Sequence, residues 1–520
     1  MQQINSPWDL FSLRELDEPC EVVRPWISFY WTRSTLFGST ESANYVSRME
    51  SYRPYYDPEI ESLIERIHPP RVCIDNDTCE DCTLVKVDSA NKHGILLEMV
   101  QVLTDLDLVI SKSYISSDGG WFMDVFHVTD QLGNKLSDES LIHYIKQALC
   151  PGRKGAGSES VRTCLGRLVG PRDVVVEHTA LEMTGSDRPG LLSDISAVLV
   201  ELGCQVVAAE AWTHNGRAAC IIYITDAATG GAISDGARLA HVEEQLENVV
   251  GAHHLVAGNA GGGGGAVERR VRVAGPTESR THTERRLHQL MFTDRDYEEA
   301  TKVRKTKTDV SIESWREKGY SVLNVRCRDR PKLLFDTVCT LTDMEYVVFH
   351  AAISSRGSLA VQEYYIRHVD GCTLDTESER RRVTQCLIAA VERRVSHGLR
   401  LDVCTNNRVG LLSDITRVFR ENGLSVSRAE ISTRGDTAVG TFFVTDASGN
   451  EADHKTVESV SKEMGGTVLV INNSPTWVPT KPRSSAAAST STEDRPRFSL
   501  GSLLWSQLER LSSNFGSIRS

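Results

Sequence analysis

One pattern occurs four times along the chain, and repetition at that scale constrains the fold more than any single motif. Each copy runs through an apolar strand, a charged turn usually closed by Gly, a Leu-rich helix opening and a later short strand ending at Asp. The turns read NKHG (Asn91 to Gly94), DRPG (Asp187 to Gly190), DRPK (Asp329 to Lys332) and NRVG (Asn407 to Gly410). From turn to closing Asp there are 36 residues for Gly94 to Asp130, Gly190 to Asp226 and Gly410 to Asp446, and 38 for Lys332 to Asp370. So constant a spacing points to one small module, copied.

The second copy shows what the module is. Ala180 to Met183 reads as a strand and Gly185 to Gly190 as the turn that ends it. Leu191, Leu192, Ile195, Val198, Leu199 and Leu202 then form one apolar face of a helix, with Asp194 and Glu201 off that face and Gly203 placed to stop it. Val206 to Trp212 and Ala218 to Thr225 read as a hairpin across the Asn215-Gly216 turn. A helix over Ala237 to Val249 and a strand over His253 to Ala257 complete a split βαβ, ferredoxin-like βαββαβ unit. Ile95, Leu96, Met99, Val102, Leu103 and Leu106 repeat the helix face in the first copy, and Leu411, Leu412, Ile415, Val418 and Phe419 in the fourth. The third puts Thr337 and Thr340 at two apolar places. A unit of about 70 to 80 residues buries a modest share of its surface, so side-by-side pairing, which also closes sheet edges, is expected.

Composition agrees with several small domains. A length of 520 residues exceeds one core. The balance of 58 Lys plus Arg against 70 Asp plus Glu gives a net charge of -12, which opposes non-specific attraction to nucleic acid or anionic membranes. No apolar run is long enough to span a bilayer, and the first 20 residues lack the apolar core of a secretory signal. Thirteen scattered cysteines suit a reducing compartment, cytosol or nucleus.

The stretches DRPGLLSDISAVL (Asp187 to Leu199) and NRVGLLSDITRVF (Asn407 to Phe419) resemble ACT domains, small amino-acid-sensing modules. With Asn91 to Asp130, Asp329 to His350 and Gln362 to Gly371, the chain resembles the plant ACT-domain repeat (ACR) proteins over roughly residues 50 to 475. That resemblance implies four ACT modules, no catalytic domain, and an α+β fold of four tandem ferredoxin-like units. The expected organisation is an N-terminal extension (1–80), modules at 81–160, 177–257, 320–396 and 398–473, a Gly-rich and charged linker (258–319), and a disordered C-terminal tail (474–520). The long linker suggests that modules 1 and 2 form one pair and modules 3 and 4 another.

A Gly-ended loop at a helix start presents free N–H groups and the positive end of the helix dipole, which suits a carboxylate. Asp187 or Asn407, three residues earlier, offers an acceptor for an α-ammonium. Asn91 holds that place in repeat 1. The candidate ligand residues are therefore Asp187, Arg188, Pro189, Gly190, Leu191 and Leu192; Asn407, Arg408, Gly410 and Leu411; and Asn91 with Gly94. A purely structural role, turn glycine plus helix cap, is the competing interpretation. Lys332 replaces the Gly in repeat 3, where a β-carbon disfavours positive φ, and that cradle is not expected to bind.

Other constellations are weaker. Cys73, Cys79 and Cys82 are spaced C-x5-C-x2-C, but a fourth zinc ligand is missing unless His68 or His93 serves, and free thiols are expected. His253 and His254 read as strand packing. The Gly run 261–265 has no following Gly-Lys-Ser/Thr, so it reads as linker. The clusters at Lys302 to Lys307 and Arg380 to Arg382 read as solvated helix faces rather than import signals. Leu500, Leu503, Leu504, Trp505, Leu508 and Leu511 make a short apolar face in the tail.

The expected function is a non-catalytic amino-acid sensor acting on a protein partner, with room for a homodimer and no cofactor, metal, nucleic acid or membrane. A scaffold of degenerate modules is the alternative. An RNA-binding array, which shares βαββαβ, lacks the basic residues and stacking aromatics on its central strands. A nucleotidyltransferase like the bacterial uridylyltransferase that ends in similar modules would need more than about 80 residues ahead of the first repeat.

Overall fold

The computed structural model describes residues 71–90, 94–118, 121–149, 160–163, 168–170, 178–252, 270–274, 282–292, 308–395, 398–464 and 468–471. The first module comprises strands β1 (Arg71–Asp75), β2 (Thr83–Ala90), β3 (Val109–Asp118) and β4 (Trp121–Thr129) with helices α1 (Ile95–Asp105) and α2 (Glu139–Ala148). A short hairpin, β5 (Val161–Arg162) with β6 (Leu168–Val169), follows. The second has β7 (Thr179–Ser186), α3 (Leu191–Glu201), β8 (Cys204–His214), β9 (Arg217–Asp226), α4 (Gly236–Gly251) and β10 (Arg270–Ala274). Helix α5 (Thr283–Met291) lies between the halves. The third has β11 (Asp309–Trp315), β12 (Tyr320–Arg328), α6 (Leu333–Asp343), β13 (Tyr346–Arg356), β14 (Leu359–His368) and α7 (Glu377–Arg393). The fourth has β15 (Leu399–Asn406), α8 (Leu411–Glu421), β16 (Leu424–Arg434), β17 (Thr437–Asp446), α9 (His454–Glu463) and β18 (Val468–Ile471).

The apolar periodicity does what it predicts. In α3, Leu191, Ile195 and Leu199 are buried against the sheet, and the helix ends where Gly203 takes a positive φ of 66°. In α6 the two threonines at apolar places are buried, but each hydroxyl is satisfied: Thr337 donates to the Leu333 carbonyl (3.1 Å) and Thr340 to the Asp336 carbonyl (2.8 Å). Such back-bonding lets a polar residue sit in a core without an orphaned group. The Asp that closes each repeat folds the following turn. Asp130 accepts from the N–H groups of Leu132 and Asn134, and Asp446 from those of Ser448 and Asn450.

The modules form two eight-stranded antiparallel sheets, and the partners are not the expected neighbours. One sheet runs β1-β2-β4-β3-β13-β14-β12-β11, joining modules 1 and 3; the other runs β10-β7-β9-β8-β16-β17-β15-β18, joining modules 2 and 4. The expected pairs, 1 with 2 and 3 with 4, are therefore wrong. The long connection is not a separator: it supplies β10 to the second sheet, α5 between the sheets, and β11 to the first. Strand β10 fills the edge beside β7 that the His253 to Ala257 strand was expected to take; that segment lies outside the described residues. Loop closure grows only slowly with loop length, so chain proximity is a weak guide to pairing. Like pairs with like instead: modules 1 and 3 take their outer strand from the N-terminal side, modules 2 and 4 from the C-terminal side.

Both seams share one register. At their centres Tyr114 faces Ala352, and Glu210 faces Glu430, each twenty residues beyond Gly94, Lys332, Gly190 and Gly410 respectively. Helices pack across each seam on the same side as the sheet's buried face, and one continuous apolar core runs through each pair. Each pair is thus a pseudo-two-fold unit, and in the second pair the Gly190 and Gly410 turns lie against Arg420 and Val200 of the partner module.

Candidate ligand cradles at the seam of modules 2 and 4

At each turn the residue before the helix is left-handed: φ is 83° at Gly94, 79° at Gly190 and Gly410, and 65° at Lys332. That conformation aims the first helical N–H groups outward. At Gly190, Leu191 N–H bonds back to the Arg188 carbonyl and Asp194 N–H to the Gly190 carbonyl, so Leu192 and Ser193 keep N–H groups with no backbone acceptor. The Gly410 turn repeats this, with Leu411 on Arg408 and Asp414 on Gly410. The N-cap residue of each helix is the glycine itself, which has no side chain to cap with, and the Asn407 amide donates to the Gly435 carbonyl (3.4 Å).

Three of the four turns are braced by an ion pair that the sequence reading missed. An Arg two residues before the left-handed position meets an Asp four residues after it: Arg188 with Asp194 (2.6 Å), Arg330 with Asp336 (2.8 Å), and Arg408 with Asp414. The signal was present in the repeated R-x-[GK]-L-L-x-D string. The turn is also tied to the neighbouring hairpin, Asp187 N–H to the Gly216 carbonyl and Asn407 N–H to the Asp436 carbonyl.

Two cavities lie at the seam of modules 2 and 4. One is lined by Asn407, Arg408, Gly410, Leu411 and Leu412 of module 4 together with Ser196, Val200, Cys204 and Val206 of module 2. The other reverses the roles, with Asp187, Arg188, Gly190, Leu191 and Leu192 of module 2 against Thr416, Leu424, Val426 and Ser427 of module 4. Of the candidate residues, Pro189 is exposed and lines neither. Both cavities are partly open, and the free spaces within them are only ≈ 30 Å³ and ≈ 40 Å³, room for a few waters, so a larger guest must shift the lining or extend toward solvent.

The other pair is built differently at the same places. In module 1, Phe122 and Asp124 hold the positions of Ala438 and Gly440 on the fourth module's floor, and both are buried. Asp124 accepts from the Ser116 N–H, and burial pushes its carboxyl well above the usual range. Gly94 is described; Asn91 lies outside the described residues. In module 3, Lys332 accepts the strained backbone that Gly takes elsewhere and pairs with Glu284 of α5. Around it Asp336, completely buried, is bound by Arg330, Arg394 and His288 (2.8, 2.6 and 2.8 Å). Burial alone would raise the Asp336 and Glu284 carboxyls, but Arg394 with Arg330, and Arg394 with Lys332, hold them well below the usual range.

This cluster is also where the four modules meet. Helix α5 lays Leu287 and Met291 on Trp212, Ala219 and Ile221 of the second sheet. It sends Arg286 to Glu182 of module 2 (2.8 Å), Arg285 to Asp343 of module 3 (2.7 Å) and His282 to Asp105 of module 1 (2.7 Å). Arg428 of module 4 donates to the Arg394 carbonyl (3.3 Å). The charged stretch Glu278 to Lys318 reads as helical, but none of these contacts was legible in a segment read as linker.

Among the described residues no cluster of three or more His, Cys, Asp and Glu is arranged to hold a metal, and Cys73, Cys79 and Cys82 are free. No described helix is long and apolar enough to cross a membrane.

Comparison with known proteins fits this construction. The N-terminal ACT domain of the ACR family matches residues 78–156, and the ACT domain matches 400–462. ACT domain-containing protein ACR1 of Arabidopsis thaliana is 53% identical over 482 residues, 90% of this chain and 99% of the relative. ACT domain-containing protein ACR3 of the same plant is 55% identical over 426 residues, 81% of this chain and 90% of its own length. The chain belongs to the ACT domain-containing ACR proteins. A bifunctional uridylyltransferase/uridylyl-removing enzyme of Azospirillum brasilense is 25% identical over 214 residues, only 20% of that enzyme.

Proposed function

We propose that this ACR protein is a non-catalytic regulator, working in cytosol or nucleus, that binds a free amino acid in the cradles between modules 2 and 4. The observation that carries this is the composite cavity: the turn of one module, with unbonded N–H groups, faces the helix end and strand of the other. A carboxylate would take the Leu192 and Ser193, or Leu412 and Ser413, N–H groups, and the ammonium would take Asp187 or Asn407. Because the free space holds only a few waters, a bound amino acid shifts the lining that the two modules share, and that difference between states is what a protein partner could read. Modules 1 and 3 serve as the structural pair.

Calorimetric titration of the full chain against the twenty amino acids tests the reading. At least one should bind, and Gly190→Val or Gly410→Val should abolish binding at the respective cradle. A Cβ at Gly190 would lie 2.9 Å from Arg420 Cδ, and a β-branched residue at φ 79° adds backbone strain. Binding that persists unchanged in both variants would refute the assignment.

A further inference from the structure

The two cradles are related by the pseudo-two-fold of the pair, yet their charges differ. Arg420, from module 4, stretches over the Gly190 turn and bonds Asp194 in the first turn of α3 (2.8 Å). The symmetry-related position over Gly410 is Val200, with carbon atoms at 3.6 and 3.8 Å from where a Cβ would lie. Asp187 in the first cradle corresponds to Asn407 in the second. One cradle therefore has a carboxylate in its lining, and the partner module's Arg420 crosses its turn just outside that lining, with its guanidinium on Asp194. The other has an amide and a methyl surface.

We propose that the two cradles bind by different chemistry: the Gly190 cradle is an ionic site, with Asp187 for the ammonium and Arg420 for the carboxylate of a zwitterion, and the Gly410 cradle is a neutral site that selects by apolar contact. This rests on the amino-acid-binding reading above. In the empty state Arg420 rests on Asp194, which it shares with Arg188. An incoming carboxylate takes over the guanidinium, and since Arg420 belongs to module 4, the ionic site is complete only while the pair is closed. The neutral site offers Ser196, Cys204, Val206, Ile431 and Phe442 instead. The charged residue lining the Gly410 cradle, Arg408, is paired with Asp414, and a site without a carboxylate does not strongly reject a ligand that lacks the ammonium, whereas one built around a carboxylate does.

Protonation separates the two sites. Burial raises the Asp187 carboxyl to about 6, against hydrogen bonds from the Arg188 N–H and the Thr213 hydroxyl. The charged groups around it are Arg188 on its own turn, Asp194 on α3, and Arg420 on α8, with His214 and Arg217 on the adjoining hairpin; Arg188 and Arg420 are both turned to Asp194. Asp187 must be ionised to hold an ammonium, so affinity at this cradle falls by about tenfold per pH unit once pH drops below about 6. Asn407 carries no such dependence. Glu210, on the same strand as Thr213, is pushed to about 7 and titrates in the same window, so Asp187→Asn is the necessary control.

The test is titration of the full chain at pH 7.5 and 5.5 with each of the twenty amino acids and, for each binder, with its 2-oxo acid. The Gly190 cradle should lose at least about tenfold in affinity for the 2-oxo acid, and about fourfold for the amino acid between pH 7.5 and 5.5. Asp187→Asn should remove the pH dependence, and Arg420→Val should weaken that cradle by about tenfold while leaving the Gly410 cradle unchanged. Without ligand, the raised Asp187 value costs stability as pH rises from 3.8 through 6, so Asp187→Asn should melt higher than wild type at pH 7.5 and equal to it below pH 4. Two cradles that respond alike, or binding untouched by both substitutions, overturn the proposal alone. No binding by any of the twenty overturns the amino-acid reading and this proposal together, even where the Asp187→Asn stabilisation is seen.

Discussion

Cutting the chain after β10, between Ala274 and His282, should yield two halves that do not hold their folds separately but reassemble when produced together. Each half contains one module of each pair, so each exposes the seam strands β3 and β8, or β13 and β16, along the five paired positions that join them in the intact chain. The cores are shared to the same degree. Ile115 of module 1 packs in one cluster with Ala351 and Ile353 of module 3, and Ala209 of module 2 in one with Ala429 and Ile431 of module 4. A lone module of this size has at most about 3 to 5 kcal/mol of core stabilisation, and an unpaired apolar edge invites aggregation. Expressed singly, the halves should be insoluble or unfolded by circular dichroism; co-expressed, they should copurify as one complex melting near the intact chain. Had modules 1 and 2 been partners, each half would fold alone with unchanged melting, and that result would remove the interleaved pairing.

The contrast between what was legible and what was not has a physical basis. Helix faces, turns and hairpins are set by residues within about a dozen positions of one another, and Leu191 to Leu202 or Asn215-Gly216 carry that information in their own spacing. Which module meets which is decided by surfaces more than 200 residues apart, such as Glu210 against Glu430, and no local period records it. The cradle was half visible. Gly190 and Gly410 announced the left-handed turn, but Arg420 and Val200 belong to the opposite module and could not be placed until the seam was known. A helix was expected in the charged stretch Glu278 to Lys318, but not the role of α5: Glu284 and His288 are buried against charges of module 3, Arg394, Lys332 and Asp336. Hydrophobicity identifies cores but not buried charge networks.

Arg394→Met should be the most destabilising single change at the junction, by about 3 to 5 kcal/mol at pH 7. Its guanidinium binds Asp336 and Glu284 at once (2.6 and 2.8 Å) and lies over the Trp212 ring, 5.0 Å from its centroid. Methionine keeps much of the volume, so the loss measures charge rather than a cavity: Arg330, His288 and Lys332 remain, but two buried carboxylates lose the cation they share. The sign of the pH dependence follows. In the wild type Asp336 is depressed, so its contribution is present above the unfolded carboxylate value near 3.8 and disappears as pH falls through the lower folded value. In the variant, burial is less opposed, the Asp336 and Glu284 values rise, and protonation relieves the strain as pH falls. The gap between wild type and variant in urea unfolding should therefore be widest near pH 7 to 8 and narrow toward pH 4. Arg420→Val is the matched control, since its pair with Asp194 is solvent-exposed and should cost less than about 1 kcal/mol. Equal losses for the two, or a gap that does not change with pH, would mean that the sheets are held by apolar contacts of Leu287 and Met291 and not by the ion network.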